Sequence, residues 1–386
     1  MLSARVPRDL EPNAWARLLE ERRAAGAPLL DLAETNPTRV GLGGAGPEEL
    51  AALAQAAGAR YEPDPRGSRA AREAVAGYYA ARGATVDPDR VVLTAGTSES
   101  YAHLFRLLAD PGEAFLVPSP SYPLFEPLAA LEGVVLRPYR LAWDGAWHLD
   151  EPSLEGAFGP DVRGVIVVEP NHPTGSCLAA AERERLVGLC ARHGAALVAD
   201  EVFGDFGRCG PLPGFVGEAR VPTFVLSGLS KVCGMPQMKL GWIVADGPPA
   251  AREAALRGLE WIADLFLSVS TPVQVALPRL LEARGPFQAR VRERVARNLS
   301  ALDALVARRP ELGVLPAQGG WAAVLRVPRS RTEEEWALGR LRRDVVVHPG
   351  HFYDFADEGY LVLSLIPEPD VFRAGCGRLA EFAAQE

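Results

Sequence analysis

The sequence predicts an α/β protein: a mainly parallel central sheet covered by helices, joined to a smaller α+β domain. Three observations carry this. Between about residues 90 and 245, short β-rich runs recur at 91–94, 114–117, 134–138, 164–168, 196–199, 224–226 and 240–245. Helical patterns lie between several of them, at 98–109, 121–132 and 179–193. Strands alternating with helices form parallel sheets. Runs such as Gly164, Val165, Ile166, Val167 and Val168 are continuously apolar, the pattern of strands buried on both faces.

Residues 11–26 read as a helix with Trp15, Leu18 and Leu19 on one face. A turn-rich loop follows at 34–41, marked by Asn36 and Pro37. Helices are expected at 47–58 and 69–82, with an irregular loop at 61–67 between them. Beyond the sheet, a long helical region at 272–308 breaks near Gly285 and Pro286. Strands at 312–315, 320–327, 345–347 and 360–365 and helices at 332–343 and 370–384 complete the chain. At 386 residues it has room for one large domain and a smaller one, or for two domains.

Bulk properties exclude several classes. The chain is 48% hydrophobic and 23% charged, which is ordinary for a soluble protein. A net charge of −8 argues against a nucleic-acid partner. The first residues lack the apolar core of a signal peptide, and no run approaches the ~18 apolar residues of a membrane span. Cys177, Cys190, Cys209, Cys233 and Cys376 are odd in number and irregular in spacing. That pattern suits reduced thiols in a cytoplasmic protein better than disulfides or a metal site.

The chemistry centres on lysine. Lys231 and Lys239 are the only two lysines, against 39 arginines. Arginine supplies charge, but it cannot lose a proton and attack a carbonyl. A Schiff-base lysine explains the exception, and so does chance survival in an arginine-biased composition. Polar residues end several expected strands: Asp200, the pair Asn171 and His172, the turn Gly96, Thr97 and Ser98, and Lys231 itself. In such folds, ligands gather at the carboxyl ends of strands.

With these residues in view, the chain resembles the fold-type-I pyridoxal-phosphate (PLP) enzymes of the class I/II aminotransferase family. The matching motifs run from about residue 30 to 245. Ser227, Gly228, Leu229, Ser230 and Lys231, followed by Gly241, resemble the cofactor-lysine motif. Pro173, Thr174 and Gly175, then Asp200 and Glu201, precede it at the family's spacing. The resemblance implies a large PLP-binding domain at 46–274 and a small domain of 1–45 with 275–386. It implies that Lys231 binds the cofactor and acts as general base, and that Asp200 pairs with the pyridine nitrogen. Gly96, Thr97 and Ser98 would hold the phosphate at a helix N-terminus, where an ordinary cap needs the same residues. Tyr122 would stack on the ring, or serve as a core tyrosine. Tyr61, with residues 67–72, resembles the segment that reaches the phosphate of a partner subunit, which implies a homodimer with shared sites. Simple packing is the other reading of Tyr61.

Five departures bear on function. His172 stands where the family usually has an asparagine on the cofactor's phenolic oxygen, and imidazole can still donate there. Phe203 stands where a tyrosine usually donates to that oxygen. Its loss implies a cofactor–lysine Schiff base that stays protonated to higher pH. Lys239 replaces a phosphate-binding arginine and loses its bidentate fork. Gly228 replaces a hydroxyl residue of some relatives, for which Ser227 and Ser230 can substitute. Val362 stands where an arginine usually grips the substrate α-carboxylate. A lost charge-assisted bond there costs about 1.5–3 kcal/mol. Either the substrate has no carboxylate beside the reacting carbon, or another arginine serves. Arg39 is the candidate, near Thr35 in the loop that resembles the family's substrate-closing segment; a plain surface role is its alternative.

The resemblance implies a ping-pong aminotransferase acting on small amino and carbonyl substrates such as amino acids and 2-oxo acids. The altered shell would also suit another PLP enzyme, a decarboxylase, lyase or oxidase. A non-catalytic sensing domain with this fold is a third reading, opposed by Lys231 and Asp200.

Overall fold

Eight strands form the central sheet of the computed structural model, which describes residue 3, residues 5–7 and residues 10–383. Expectations that fall on the remaining terminal residues, including the last residue of the helix at 370–384, lie outside the described residues. In chain order the strands are β1 (Val91–Thr94), β2 (Ala114–Ser119), β3 (Val135–Trp143), β4 (Trp147–Leu149), β5 (Val162–Val168), β6 (Ala196–Asp200), β7 (Thr223–Gly228) and β8 (Gly241–Asp246). Their spatial order is β1-β8-β7-β6-β5-β2-β3-β4. The run from β7 to β3 is parallel. β8 is antiparallel to β1 and β7, and β4 to β3.

The continuous apolar runs are explained by two cores. In β5, Val165 and Val167 face one core with Leu116, Leu197 and Val225. Ile166 and Val168 face the other with Phe115, Val198 and Phe224. Successive residues point to opposite faces, so a sheet covered on both sides needs apolar residues at every position.

A further core surrounds a four-stranded antiparallel sheet. Its order is Gly313–Val314, Ala322–Arg326, Tyr360–Ser364 and His348–Pro349. Trp321, Phe287, Leu361, Leu363 and Phe372 fill this core, and Phe203 and Phe206 enter it from the loop after β6. Leu30–Asp31 pairs in parallel with Val345–Val346, which ties the N-terminal segment to this part of the chain.

Several expected elements differ. The helix expected from 121 begins at Phe125, because Tyr122 precedes Pro123 and that position disfavours helix. The helix expected at 47–58 holds only over Pro47–Ala51; two 3₁₀ turns, Ala52–Ala54 and Ala56–Ala59, follow. These turns lie against the helix Thr271–Glu282, where a Cβ on Gly58 would stand 3.4 Å from Pro272 Cα. The helix Pro249–Asp264 was not anticipated, because Gly247, Pro248 and Pro249 look like a loop. Proline is tolerated at the first helical position, so the helix can start there. The helix Glu151–Ala157 and β4 were also not anticipated. Thr271–Glu282 crosses the expected domain boundary, and its buried Val273, Ala276, Leu277, Leu280 and Leu281 all belong to a core of the large sheet. Among the described residues, no helix is long and apolar enough to cross a membrane.

Candidate active site

The carboxyl ends of β5, β6 and β7 meet at one edge of the sheet. β6 ends on Asp200, and register places it opposite Leu226, just before Ser227. Lys231 lies in the short helix Leu229–Val232 that directly follows β7.

Asp200 is 6% exposed. Its Oδ2 accepts the Tyr101 hydroxyl at 3.0 Å, and its Oδ1 accepts the Val202 N–H at 3.1 Å. Burial pushes its carboxyl up to about 6, while these bonds and the Lys231 charge favour the carboxylate. Part of the Lys231 side chain meets solvent. Its amine nonetheless lies 5.2 Å from the Trp321 ring centre and 5.4 Å from that of Phe203. Burial lowers it to about 8, with Asp200 pulling the other way. Such an amine can release its proton near neutral pH.

An aromatic wall faces this pair. His172 stacks on Phe203 at 5.7 Å and lies edge-on to Tyr353 at 5.4 Å and Tyr122 at 6.2 Å. Burial, then the charges of Lys231 and His348, hold His172 down at about 3, so it is a neutral imidazole with one N–H to donate. Burial also raises the Tyr122 phenol, and the Asp200 charge adds to that. His348 is held at about 4 by burial, and its Nδ1 lies 2.8 Å from the Tyr353 hydroxyl. Across the antiparallel pair, His348 stands opposite Val362. Val362 is 3% exposed and packs with Ala322 and Tyr353.

Beside Lys231, three glycines approach closely. A Cβ on Gly241 would stand 3.0 Å from Gly96 Cα, and one on Gly228 would stand 2.9 Å from Gly241 Cα. Gly96, at φ 148°, leads into the helix Thr97–Leu108, whose first N–H groups and dipole favour an anion. Thr97 is half-buried and Ser98 exposed. The Ser227 hydroxyl is fully buried and has no hydrogen-bond partner. Glu99 turns its carboxylate back to the Ala95 N–H and the Ser268 hydroxyl, both at 2.6 Å. A glycine cradle at a helix N-terminus, an orphaned hydroxyl, a buried carboxylate and an amine under its charge together fit a phosphorylated pyridine aldehyde.

The structure thus brings together Lys231, Asp200, His172, Phe203 and Tyr122, with Gly96, Thr97, Ser227 and Ser230 alongside. Other expected residues lie at the surface of the chain. Lys239 is exposed and has left-handed backbone, φ 51°, one residue before Leu240, whose carbonyl accepts the Leu229 N–H at 3.0 Å. Tyr61 is 79% exposed, in a groove with Leu93, Leu267 and Gln274. Thr35 is exposed, and the Arg39 side chain is 70% exposed and 3.4 Å from the Glu34 carboxylate. Tyr101, Trp321, His348 and Tyr353 were missed. Their one available signal was residue type, a polar or aromatic side chain inside an apolar element.

The chain resembles known proteins in sequence and in fold. The sequence profile described as "Aminotransferase class I and II" matches residues 31–371. Human tyrosine aminotransferase is 28% identical over 332 residues, covering 83% of this chain and 72% of that protein. The arginine–pyruvate transaminase of Pseudomonas aeruginosa is 27% identical over 340 residues, covering 85% and 84%. The matches to the mouse and Caenorhabditis elegans tyrosine aminotransferases span 48% and 58% of those proteins. In three dimensions, the alanine aminotransferase of Pyrococcus furiosus superposes with a TM-score of 0.87 at 22% identity, covering 96% of both chains.

Proposed function

The chain belongs to the class I and II aminotransferase family and is a PLP-dependent aminotransferase; we propose that Lys231 carries the cofactor and that the substrate has no carboxylate beside its reacting carbon. The bound cofactor supplies an electron sink for the bond broken at that carbon. Asp200 would hold the proton on its ring nitrogen. Lys231, once displaced by the amino substrate, would take and return the proton at the reacting carbon as general base. Gly96, Thr97, Ser98, Ser227, Ser230 and Lys239 would surround the phosphate, and Tyr122 would cover the ring.

The Lys231 amine, placed just past β7 under the charge of buried Asp200 at the end of neighbouring β6, carries this reading. Borohydride reduction followed by peptide mapping tests it. A pyridoxyl group is expected on Lys231, and its absence there would sink the assignment.

The substrate side supports the second half of the proposal. Val362 packs against Tyr353, and both nearby imidazoles are held neutral. Among the described residues, the side chains in contact on this wall are Ala322, Val362, Tyr122, His172, Phe203 and Tyr353, none a guanidinium, and Arg39 is turned to Glu34. A screen of amino donors, with and without a carboxylate, tests this. Turnover confined to ordinary α-amino acids would reject it and return attention to Arg39.

Three further readings go with this one. Tyr61 shares its groove with Ala263 and Leu267, on the segment that also carries Trp261, Leu265 and Phe266, which are 69%, 65% and 51% exposed. So large an exposed apolar area suits cover by a second copy, in a homodimer whose Tyr61 reaches the neighbouring site. Sedimentation velocity would report a monomer if that is wrong. The five free cysteines suit a reducing, cytoplasmic compartment. The large domain is best taken through Glu282, which keeps the helix Thr271–Glu282 with its core.

A further inference from the structure

We propose that Tyr101 is a positioning residue for Asp200, and that the helix Thr97–Leu108 thereby sets both ends of the cofactor site. This rests on the reading of Asp200 as the partner of the cofactor's ring nitrogen. Tyr101 is 2% exposed, and its hydroxyl donates to Asp200 Oδ2 at 3.0 Å. The Val202 N–H takes the other oxygen at 3.1 Å, and the Asp200 carbonyl accepts the Glu169 N–H at 2.9 Å. Both carboxylate oxygens therefore have one fixed donor, and the plane of the carboxylate is set. The phenol is fixed in turn: its ring lies edge-on to Phe125 at 5.0 Å and tilted against Phe105 at 6.1 Å.

Tyr101 stands four residues after Thr97 in one helix. Residues at i and i+4 share a helix face. One rigid element thus presents N–H groups to the phosphate end and, a turn later, a phenol to the carboxylate at the nitrogen end. A rotation of this helix would disturb both contacts together. Burial opposes ionisation of Asp200, and the Tyr101 bond favours it. Removing the hydroxyl should therefore make the carboxylate harder to form as well as looser.

The test is cofactor affinity against pH, measured on apoprotein by equilibrium dialysis with PLP. The titratable and charged groups that face Asp200 are Lys231, Tyr101, Tyr122 and Glu201. The Lys231 step lies above that of Asp200, and the cofactor's own titrations are common to every variant. Tyr101→Phe keeps the ring and its packing. It should bind PLP about tenfold more weakly at pH 7, and its acid limb should move up by about one pH unit. In an Asp200→Asn background the same change should have no further effect. An additive loss there, or an unchanged acid limb in Tyr101→Phe alongside a lowered melting temperature, would make Tyr101 a packing residue only. Should Tyr101→Phe not fold, 2,3-difluorotyrosine at position 101 preserves the shape and strengthens the donor. The acid limb should then move down, and no movement would overturn the proposal. If Asp200→Asn itself leaves PLP affinity unchanged, the reading of Asp200 fails, and that outcome is distinct from failure at Tyr101.

Discussion

The two sides of the site are built differently. On the sheet side, Asp200, Ser227 and Lys231 sit at or just past the ends of neighbouring strands, and register alone brings them together. On the opposite side, Phe203, Trp321, His348, Tyr353 and Val362 meet only through packing of distant segments. The sheet side carries the charged pair and the glycine cradle. The far side carries rings, a valine and two neutral imidazoles. A backbone-determined side suits a fixed cofactor, and a side-chain-determined wall can change with the substrate. If this division is right, substitutions on the two sides should alter different observables.

The largest effect is expected at Lys231. Lys231→Arg keeps the charge but cannot lose its proton. It should reduce the half-reaction with an amino donor by about 10⁴-fold, read by single-turnover absorbance. A loss below about tenfold would remove Lys231 from the proton transfer and break the comparison on its sheet side.

Val362→Arg comes next and tests the other side. A guanidinium there should favour donors with a carboxylate by about tenfold or more in KM, from one charge-assisted bond. Donors without one should lose activity. Val362 is 3% exposed, so overpacking should cost about 1–3 kcal/mol of stability, and a melting curve must accompany the kinetics. An unchanged donor preference in a folded variant would show that this wall does not select the substrate.

The same division explains what could be read from the sequence. Lys231, Asp200 and the Gly96 turn lie within a few residues of strand ends, where local pattern and residue type suffice. Val362 was readable as a departure, but not the contact that replaces the usual one. That contact requires His348 to pair opposite Val362, and the two-residue strand His348–Pro349 carries too little alternating pattern to fix its register. Tyr101 was hidden for another reason. It sits a turn inside an amphipathic helix, where a buried aromatic looks like core. The unanticipated helix Pro249–Asp264 shows the converse, since its proline start masked a strong Ala-rich helical pattern.

A smaller effect concerns pH. With Asp200 and Lys231 in the proposed roles, cofactor uptake by apoprotein would need Asp200 ionised and Lys231 neutral. The first condition is lost as pH falls through about 6, and the second is gained as pH rises through about 8. The PLP uptake rate should therefore climb from pH 5 to 9 in two steps that belong to the coupled pair. Asp200→Asn should remove the lower step. His172, held at about 3, should add none in this range.

The smallest effect asks whether the far wall influences the cofactor at all. Phe203 stacks on His172 at 5.7 Å, lies 5.4 Å from the Lys231 amine and cannot donate a hydrogen bond. Phe203→Tyr adds a donor. Directed at an ionised oxygen on the cofactor, it should stabilise the deprotonated side of the visible-absorbance titration. The midpoint should fall by about one pH unit. Phe203 also packs edge-on to Trp321 at 5.3 Å and belongs to the core of the four-stranded sheet. If the new hydroxyl turned that way, burial without a partner would cost about 1–3 kcal/mol of stability, read as a lower melting temperature, and leave the midpoint in place. The first result would give the wall a share in tuning the cofactor. The second would confine that role to the sheet side and leave the wall to the substrate alone.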